Sequence, residues 1–214
     1  MRRSYGQYCG LARALEIVGE RWALLIVRDL LVGPRRFSQL QQGLPRIPSN
    51  VLTSRLKELE AHGVVRRQPL PRPAGGMAYE LTERGRQLEP VVLSLGRWGA
   101  QLLGQPRPDE ILTSDALVMA LRTAYQPTQP HPPTTYEVRV GDLVAHAVTG
   151  PDGLVAAAGP AADPDLVIDT DLTLRALLTG ELAPADALAD GSVRLSGDPA
   201  LLTRFIETFQ IGNR

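Results

Sequence analysis

The 214-residue sequence holds a single cysteine, Cys9, so no disulfide can close within the chain and a reducing compartment is expected. His62, His131 and His146 lie far apart, and with one cysteine they cannot make up a zinc-ligand set at the usual spacing. The patterns GxxxxGKS/T, GxGxxG and HExxH are all missing, and nothing sets a nucleophile beside a base. These absences argue against an enzyme and against a metal or organic cofactor. No segment approaches the roughly 18 uninterrupted apolar residues that span a bilayer. The N-terminus also lacks the apolar run of a signal peptide, so a cytoplasmic protein with no membrane partner is expected.

Net charge is zero, with 23 basic and 23 acidic residues, but the balance is uneven along the chain. Residues 1–104 carry sixteen Lys/Arg against eight Asp/Glu, net +8, and fifteen of the sixteen are arginine. Residues 105–214 carry seven against fifteen, net −8. A basic half followed by an acidic half predicts two domains, 1–104 and 105–214, the first suited to a polyanion.

Apolar periodicity and Gly/Pro punctuation predict helices over 8–18, 20–33, 37–44 and 49–62, with Gly63 stopping the last. Two β-like runs follow at 64–70 and 77–81 around the turn "PRPAGG", then a long helix over 82–104 begun by Thr82. The last three of these four helices, the hairpin and the final helix, in that order, describe a winged helix-turn-helix. After the linker "QPRPDE", a helix over 111–124 leads into strands at 136–140, 143–149, 153–158 and 166–169. Helices at 172–182 and 184–189, a strand at 192–196 and a helix at 198–209 complete an α+β fold class.

On a helical wheel of residues 49–62, Leu52, Leu56 and Leu59 fall within about 60° and form a buried face. Opposite them stand Asn50, Thr53, Ser54 and Lys57, with Ser49 beside them. Short polar side chains let a helix settle in the major groove of double-stranded DNA and reach base edges, while cations bind phosphates. In helix-turn-helix proteins the start of the recognition helix touches the bases. Arg35 and Arg36 precede the supporting helix, Ser38 lies in its first turn, Arg55 shares the recognition helix, and Arg66, Arg67 and Arg72 mark the wing, all positions from which phosphates are within reach.

The segments "YCGLARALEIVGERWALLIVRDLLVGPRRFSQL", "LTSRLKELEAHGVVRR", "YELTERGRQLEPVV" and "LGRWG" resemble the HxlR-type branch of winged-helix transcription regulators. They cover residues 8–99 in family order and spacing. The resemblance implies a homodimeric repressor or activator whose N-terminal and last helices form the dimer interface, here Leu11, Leu15, Leu95, Trp98 and Leu102. Relatives usually carry Ser or Thr where this chain has Pro48, so Ser49 is the expected substitute cap of the recognition helix. Asn50 stands where many relatives have a cation. Cys9 occupies the place of an N-terminal cysteine that senses oxidants in some relatives; its nearest basic neighbour is Arg13, and a reduced structural cysteine is the commoner case.

In the acidic half, "ADPDLVIDTDLTLRALLTGELAPADALADGSVRLSGDPALLTRFIETF" is similar to sterol carrier protein-like domains. Such a domain implies a sheet packed on helices around an apolar tunnel for flat hydrophobic molecules, with Leu177, Leu178, Phe205 and Phe209 as candidate lining residues. Core packing accounts for the same four. Three readings stay open: a regulator whose acidic domain binds an apolar effector, a regulator whose acidic domain only assembles the oligomer, and a lipid or metabolite carrier with a vestigial DNA-binding domain.

Overall fold

The computed structural model describes residues 4–71, 73, 75–126 and 132–211. Arg72 and His131 lie outside the described residues. The chain divides into two compact units, 1–92 and 93–214. That division falls twelve residues before the change in charge at 104, because the second unit takes in the end of a helix that composition assigns to the first.

The first unit builds α1 (Gly10–Val18), α2 (Ala23–Val32), α3 (Phe37–Gly43) and α4 (Ser49–Ala61), then a hairpin of β1 (Val65–Pro69) and β2 (Met77–Leu81). Its core joins Ile26, Val27 and Leu30 of α2 to Leu40 of α3 and to Leu52, Leu56 and Leu59 of α4. The leucine face read from the sequence is thus the buried face. Arg35 exchanges backbone hydrogen bonds of 2.9 and 2.8 Å with Tyr79, adding a one-residue third strand to the hairpin. Gly63 turns the chain from α4 into β1 at φ +68°, and the Val64 amide caps the Leu59 carbonyl at 2.9 Å.

The helix expected over 82–104 is two helices, α5 (Glu83–Arg86) and α6 (Glu89–Ala100). Pro90 has no amide hydrogen and its ring clashes with the carbonyl four residues back, so a new helix starts there. Thr82 begins α5, accepting from the Gly85 amide at 3.1 Å while its hydroxyl donates to the Gly63 carbonyl at 2.6 Å. Gly85 lies flat on the chain leaving α4: a Cβ there would sit 2.2 Å from the Val64 carbonyl oxygen.

The second unit continues with α7 (Ser114–Ala124), begun by the Thr113 hydroxyl, then β3 (Thr134–Val140), β4 (Leu143–Gly150), β5 (Gly153–Ala158) and β6 (Leu166–Thr170). α8 (Leu174–Thr179), α9 (Pro184–Ala189), β7 (Val193–Gly197) and α10 (Ala200–Thr208) follow. The sheet order is β5-β4-β3-β6-β7, antiparallel except for the parallel β3–β6 pair. In the same unit, the Arg97 guanidinium of α6 donates to the Thr123 carbonyl of α7 at 2.8 Å. No described helix is long and apolar enough to cross a membrane.

Candidate nucleic-acid interface

Asn50, Thr53, Ser54 and Lys57 are exposed along one side of α4, with Ser49 at its first turn. Ser49 does not cap the helix. Pro48 takes the capping position with extended backbone (φ −64°, ψ 142°), and its carbonyl accepts the Leu52 amide at 2.9 Å. The Ser49 hydroxyl accepts instead from Gln41 Nε2 of α3 at 2.5 Å, which ties the supporting helix to the start of α4. Thr53 Oγ1 donates to the Ser49 carbonyl at 2.8 Å, so its methyl group and lone pairs remain for an outside partner. Ser54 Oγ donates to Glu58 at 3.2 Å.

Arg55 departs from the expected DNA-facing set. Its side chain is only 19 % exposed and is paired with Glu58 one turn on and with Glu20 Oε2 at 3.6 Å. The wheel places it beside Leu59 rather than beside Asn50, and the Glu58 three residues later is the signal that could have shown this. Arg36 is likewise engaged: its guanidinium donates to the Gly75 carbonyl of the wing turn at 2.8 Å, and its amide donates to Gln39 Oε1. The Arg35 guanidinium donates to the neighbouring Pro34 carbonyl at 3.1 Å. The two arginines hold the wing against α3, a role that charge patterning alone cannot separate from phosphate binding. Ser38 is exposed in the first turn of α3.

On the hairpin, Arg66 faces Glu80 across the strands at 2.5 Å yet keeps most of its side chain exposed. Arg67 lies 5.6 Å from the centre of the Tyr79 ring and 3.3 Å from Glu60 Oε2. Both retain donors beyond these single carboxylate contacts, since a guanidinium has five. Lys57, Arg66 and Arg67 are therefore the cations of the expected set that keep charge at the surface.

Apolar side chains are exposed on two helices: Leu11 and Leu15 on α1, and Leu95 and Trp98 on α6, with Leu102 in the turn that follows it. α6 thus has two apolar sides, because Leu88 just before it and Val92 within it pack on the first unit's core while Val91, Leu95 and Trp98 stay uncovered. Trp98 is 62 % exposed. Cys9 is also exposed, at the residue before α1, and the Ala12 amide, aided by that of Leu11, draws its thiol below the usual range. Arg13 is paired with Glu16 at 2.7 Å.

In the second unit, Leu177, Leu178, Phe205 and Phe209 are all buried. The Phe205 and Phe209 rings lie 4.7 Å apart and meet the Tyr136 ring of β3 edge-on at 5.2 and 6.1 Å. The four expected lining residues are core residues, and the aromatic rings occupy the space between sheet and helix at that point. Asp165 accepts from the Thr135 amide of β3 at 2.8 Å, Asp171 from the Thr173 amide before α8 at 2.7 Å, and Asp169 faces Arg194 at 3.4 Å. Among the described residues no cluster of His, Cys, Asp and Glu could hold a metal ion.

The family model described as HxlR-like helix-turn-helix matches residues 17–107. The HTH-type transcriptional regulator YvaP of Bacillus subtilis is 39 % identical over 89 residues, 42 % of this chain and 82 % of the relative. The regulator sll1512 of Synechocystis is 34 % identical over 100 residues, 47 % of this chain and 74 % of its own length. The regulator YodB of Bacillus subtilis is 39 % identical over 88 residues, 41 % of this chain and 79 % of that protein. Among solved structures, the redox regulator HypR in its oxidized form is 34 % identical and spans 44 % of this chain and 96 % of its own, with a TM-score of 0.41. No enzyme family is indicated by these matches.

Proposed function

Because the chain belongs to the HxlR-like helix-turn-helix family of DNA-binding transcriptional regulators, we propose that it is a homodimeric repressor acting on an inverted-repeat operator. The observation that carries this reading is the α4 surface, where short polar side chains at the helix start precede a cation and leave the leucines behind in the core. In the proposed complex Ser49, Asn50 and Thr53 meet base edges. Lys57, Arg66 and Arg67 bind phosphates, and Arg35 and Arg36 set the wing. Ser38 and Ser54 are near enough in sequence to add phosphate contacts. A two-fold dimer presents two such helices about one DNA turn apart, which is the reason for an inverted repeat. Residues 1–104 form the DNA-binding and dimerisation segment, with Leu11, Leu15, Leu95, Trp98 and Leu102 covered by the partner copy. Cys9, exposed and with its thiol pKa drawn below the usual value by the Ala12 and Leu11 amides, is the residue of the proposed regulator most open to oxidants.

We read the acidic half as sterol carrier-like, and its five-stranded mixed sheet with helices after β6 and after β7 supports that reading. A flat hydrophobic molecule is the effector such a domain takes. The closed packing of Tyr136, Phe205 and Phe209 favours a second reading in which this half serves assembly. A thermal-shift screen of hydrophobic metabolites on the full chain separates the two.

The central test is titration of the purified protein with duplex DNA from upstream of its own coding sequence, at several salt concentrations, beside a random duplex. Preferential binding that weakens for Asn50→Ala on the upstream duplex, but not on the random one, supports base readout. Equal losses on both remove Asn50 from the bases. A transcription reporter then gives the sign of regulation.

A further inference from the structure

A serine or threonine hydroxyl can meet a base edge as donor or as acceptor, and the bonds it already makes decide which role is left. On α4 those bonds are uneven. Gln41 Nε2, on the half-buried side of α3, donates to the exposed Ser49 Oγ at 2.5 Å. One lone pair of that hydroxyl is thereby taken, while its proton has no acceptor among the described residues. Thr53 is the opposite case: it gives its only proton to the Ser49 carbonyl at 2.8 Å and keeps lone pairs alone. The two residues stand one turn apart, about 6 Å along the helix at ~1.5 Å per residue. Base pairs follow one another at about 3.4 Å, so the two hydroxyls reach bases no more than about two steps apart.

We propose that Ser49 reads a base as a hydrogen-bond donor, to the oxo group of guanine or thymine, and that Gln41 is the positioning residue that fixes this polarity. The inference rests on the reading of α4 as the recognition helix and names the base chemistry it recognises. In the major groove guanine presents O6 where adenine presents an amino group, and thymine presents O4 where cytosine presents one. Facing an amino group, Ser49 would accept through its second lone pair and leave its own proton unpaired in a groove from which water is displaced. An unpaired donor of that kind separates the oxo base from the amino base by about fivefold or more. Gln41 acts only through Ser49, because its amide supplies the proton that fills the other side of the hydroxyl. A carboxylate at position 41 has no proton to give. It would take the Ser49 proton and turn Ser49 into an acceptor. The preferred base should then change by a transition, guanine to adenine or thymine to cytosine, with no new contact made.

Selection of duplexes from a library with a randomised half-site, using full-length protein and sequencing of the bound fraction, tests the inference. Ser49→Ala should relax the preference at one position, which locates the base that Ser49 meets. At that position Gln41→Glu should exchange the favoured base for its transition partner by about fivefold or more. The position relaxed by Thr53→Val should keep its wild-type base in Gln41→Glu, since Thr53 owes its polarity to the Ser49 carbonyl. The added negative charge lowers affinity for every duplex alike and cancels in the ratio of bases. Gln41→Met, which gives and takes no proton, should accept both transition partners within about twofold. An unaltered preference in Ser49→Ala removes Ser49 from the bases and overturns the proposal. So does a Gln41→Glu protein that keeps the wild-type base or loses all preference there. If circular dichroism shows Gln41→Glu unfolded, Gln41→Met decides, and a wild-type preference in it overturns the role of Gln41. A wild-type protein that binds duplexes without any preferred sequence refutes the preceding section's base readout, and this inference falls with it.

Discussion

Trp98→Ala separates folding from assembly. Because Trp98 is 62 % exposed on a single chain, its removal leaves no cavity in the fold and costs the isolated chain little. The loss falls on whatever covers the indole. A Trp side chain buries roughly 150–250 Å², and with 62 % of it exposed about 90–150 Å² is available per subunit. At ~25 cal/mol per Å² that is about 2–4 kcal/mol, within the range of interface residues that dominate binding. A two-fold interface loses the contact twice, so the dimer dissociation constant should rise by about 10³ or more. Sedimentation velocity at micromolar concentration should show the variant as monomer, and thermal unfolding should lose its dependence on protein concentration. Operator affinity should fall with it, because a monomer engages one half-site. A variant that stays dimeric with an unchanged dissociation constant would refute the placement of the interface on this face of α6.

Other consequences can be measured independently. Lys57→Ala and Arg67→Ala should each reduce the slope of log affinity against log salt by about one, whereas Arg55→Ala, whose charge is spent on Glu58 and Glu20, should leave the slope unchanged. Gly85→Ala forces a methyl group to within 2.2 Å of the Val64 carbonyl and 3.0 Å of Leu81 Cδ2, so the thermal midpoint should fall by the equivalent of about 1–3 kcal/mol. An unchanged midpoint would mean that α5 can move off the chain entering β1. Burial, reinforced by the Asp165 charge, pushes the Tyr136 phenol above its ordinary value against the pull of Arg204 and Thr134. An acid raised in this way stabilises the fold below the unfolded pKa of about 10, and that stability is lost as pH rises toward the folded value. Urea unfolding between pH 8 and 11 should show this decline, and Tyr136→Phe should flatten it.

The order and extent of the elements were largely legible. Leu52, Leu56 and Leu59 identify the buried face of α4 because a helix returns to the same side every three or four residues. Gly63 identifies its end, since a left-handed residue there costs glycine nothing. Pro90 marks the break between α5 and α6, although the apolar stripe running through residues 88–98 hides it. The stripe also merges two faces that only packing separates: Leu88 and Val92 find the core, and Leu95 and Trp98 do not.

What the sequence by itself determined is periodicity and charge: a basic winged helix-turn-helix, a polar face on the recognition helix, and an acidic α+β half. These follow from local geometry and from sums over residues, neither of which needs a partner to be known. Tertiary structure decided where each charge and each ring is used. Arg36 spans 39 positions to the Gly75 carbonyl, Arg55 turns to Glu20, Gln41 takes the Ser49 hydroxyl, and Phe205 and Phe209 close on Tyr136. A guanidinium binds a phosphate and a protein carbonyl through the same donors, and an apolar side chain fills a core or lines a cavity with the same surface. Only the positions of neighbours distant in sequence select between such uses.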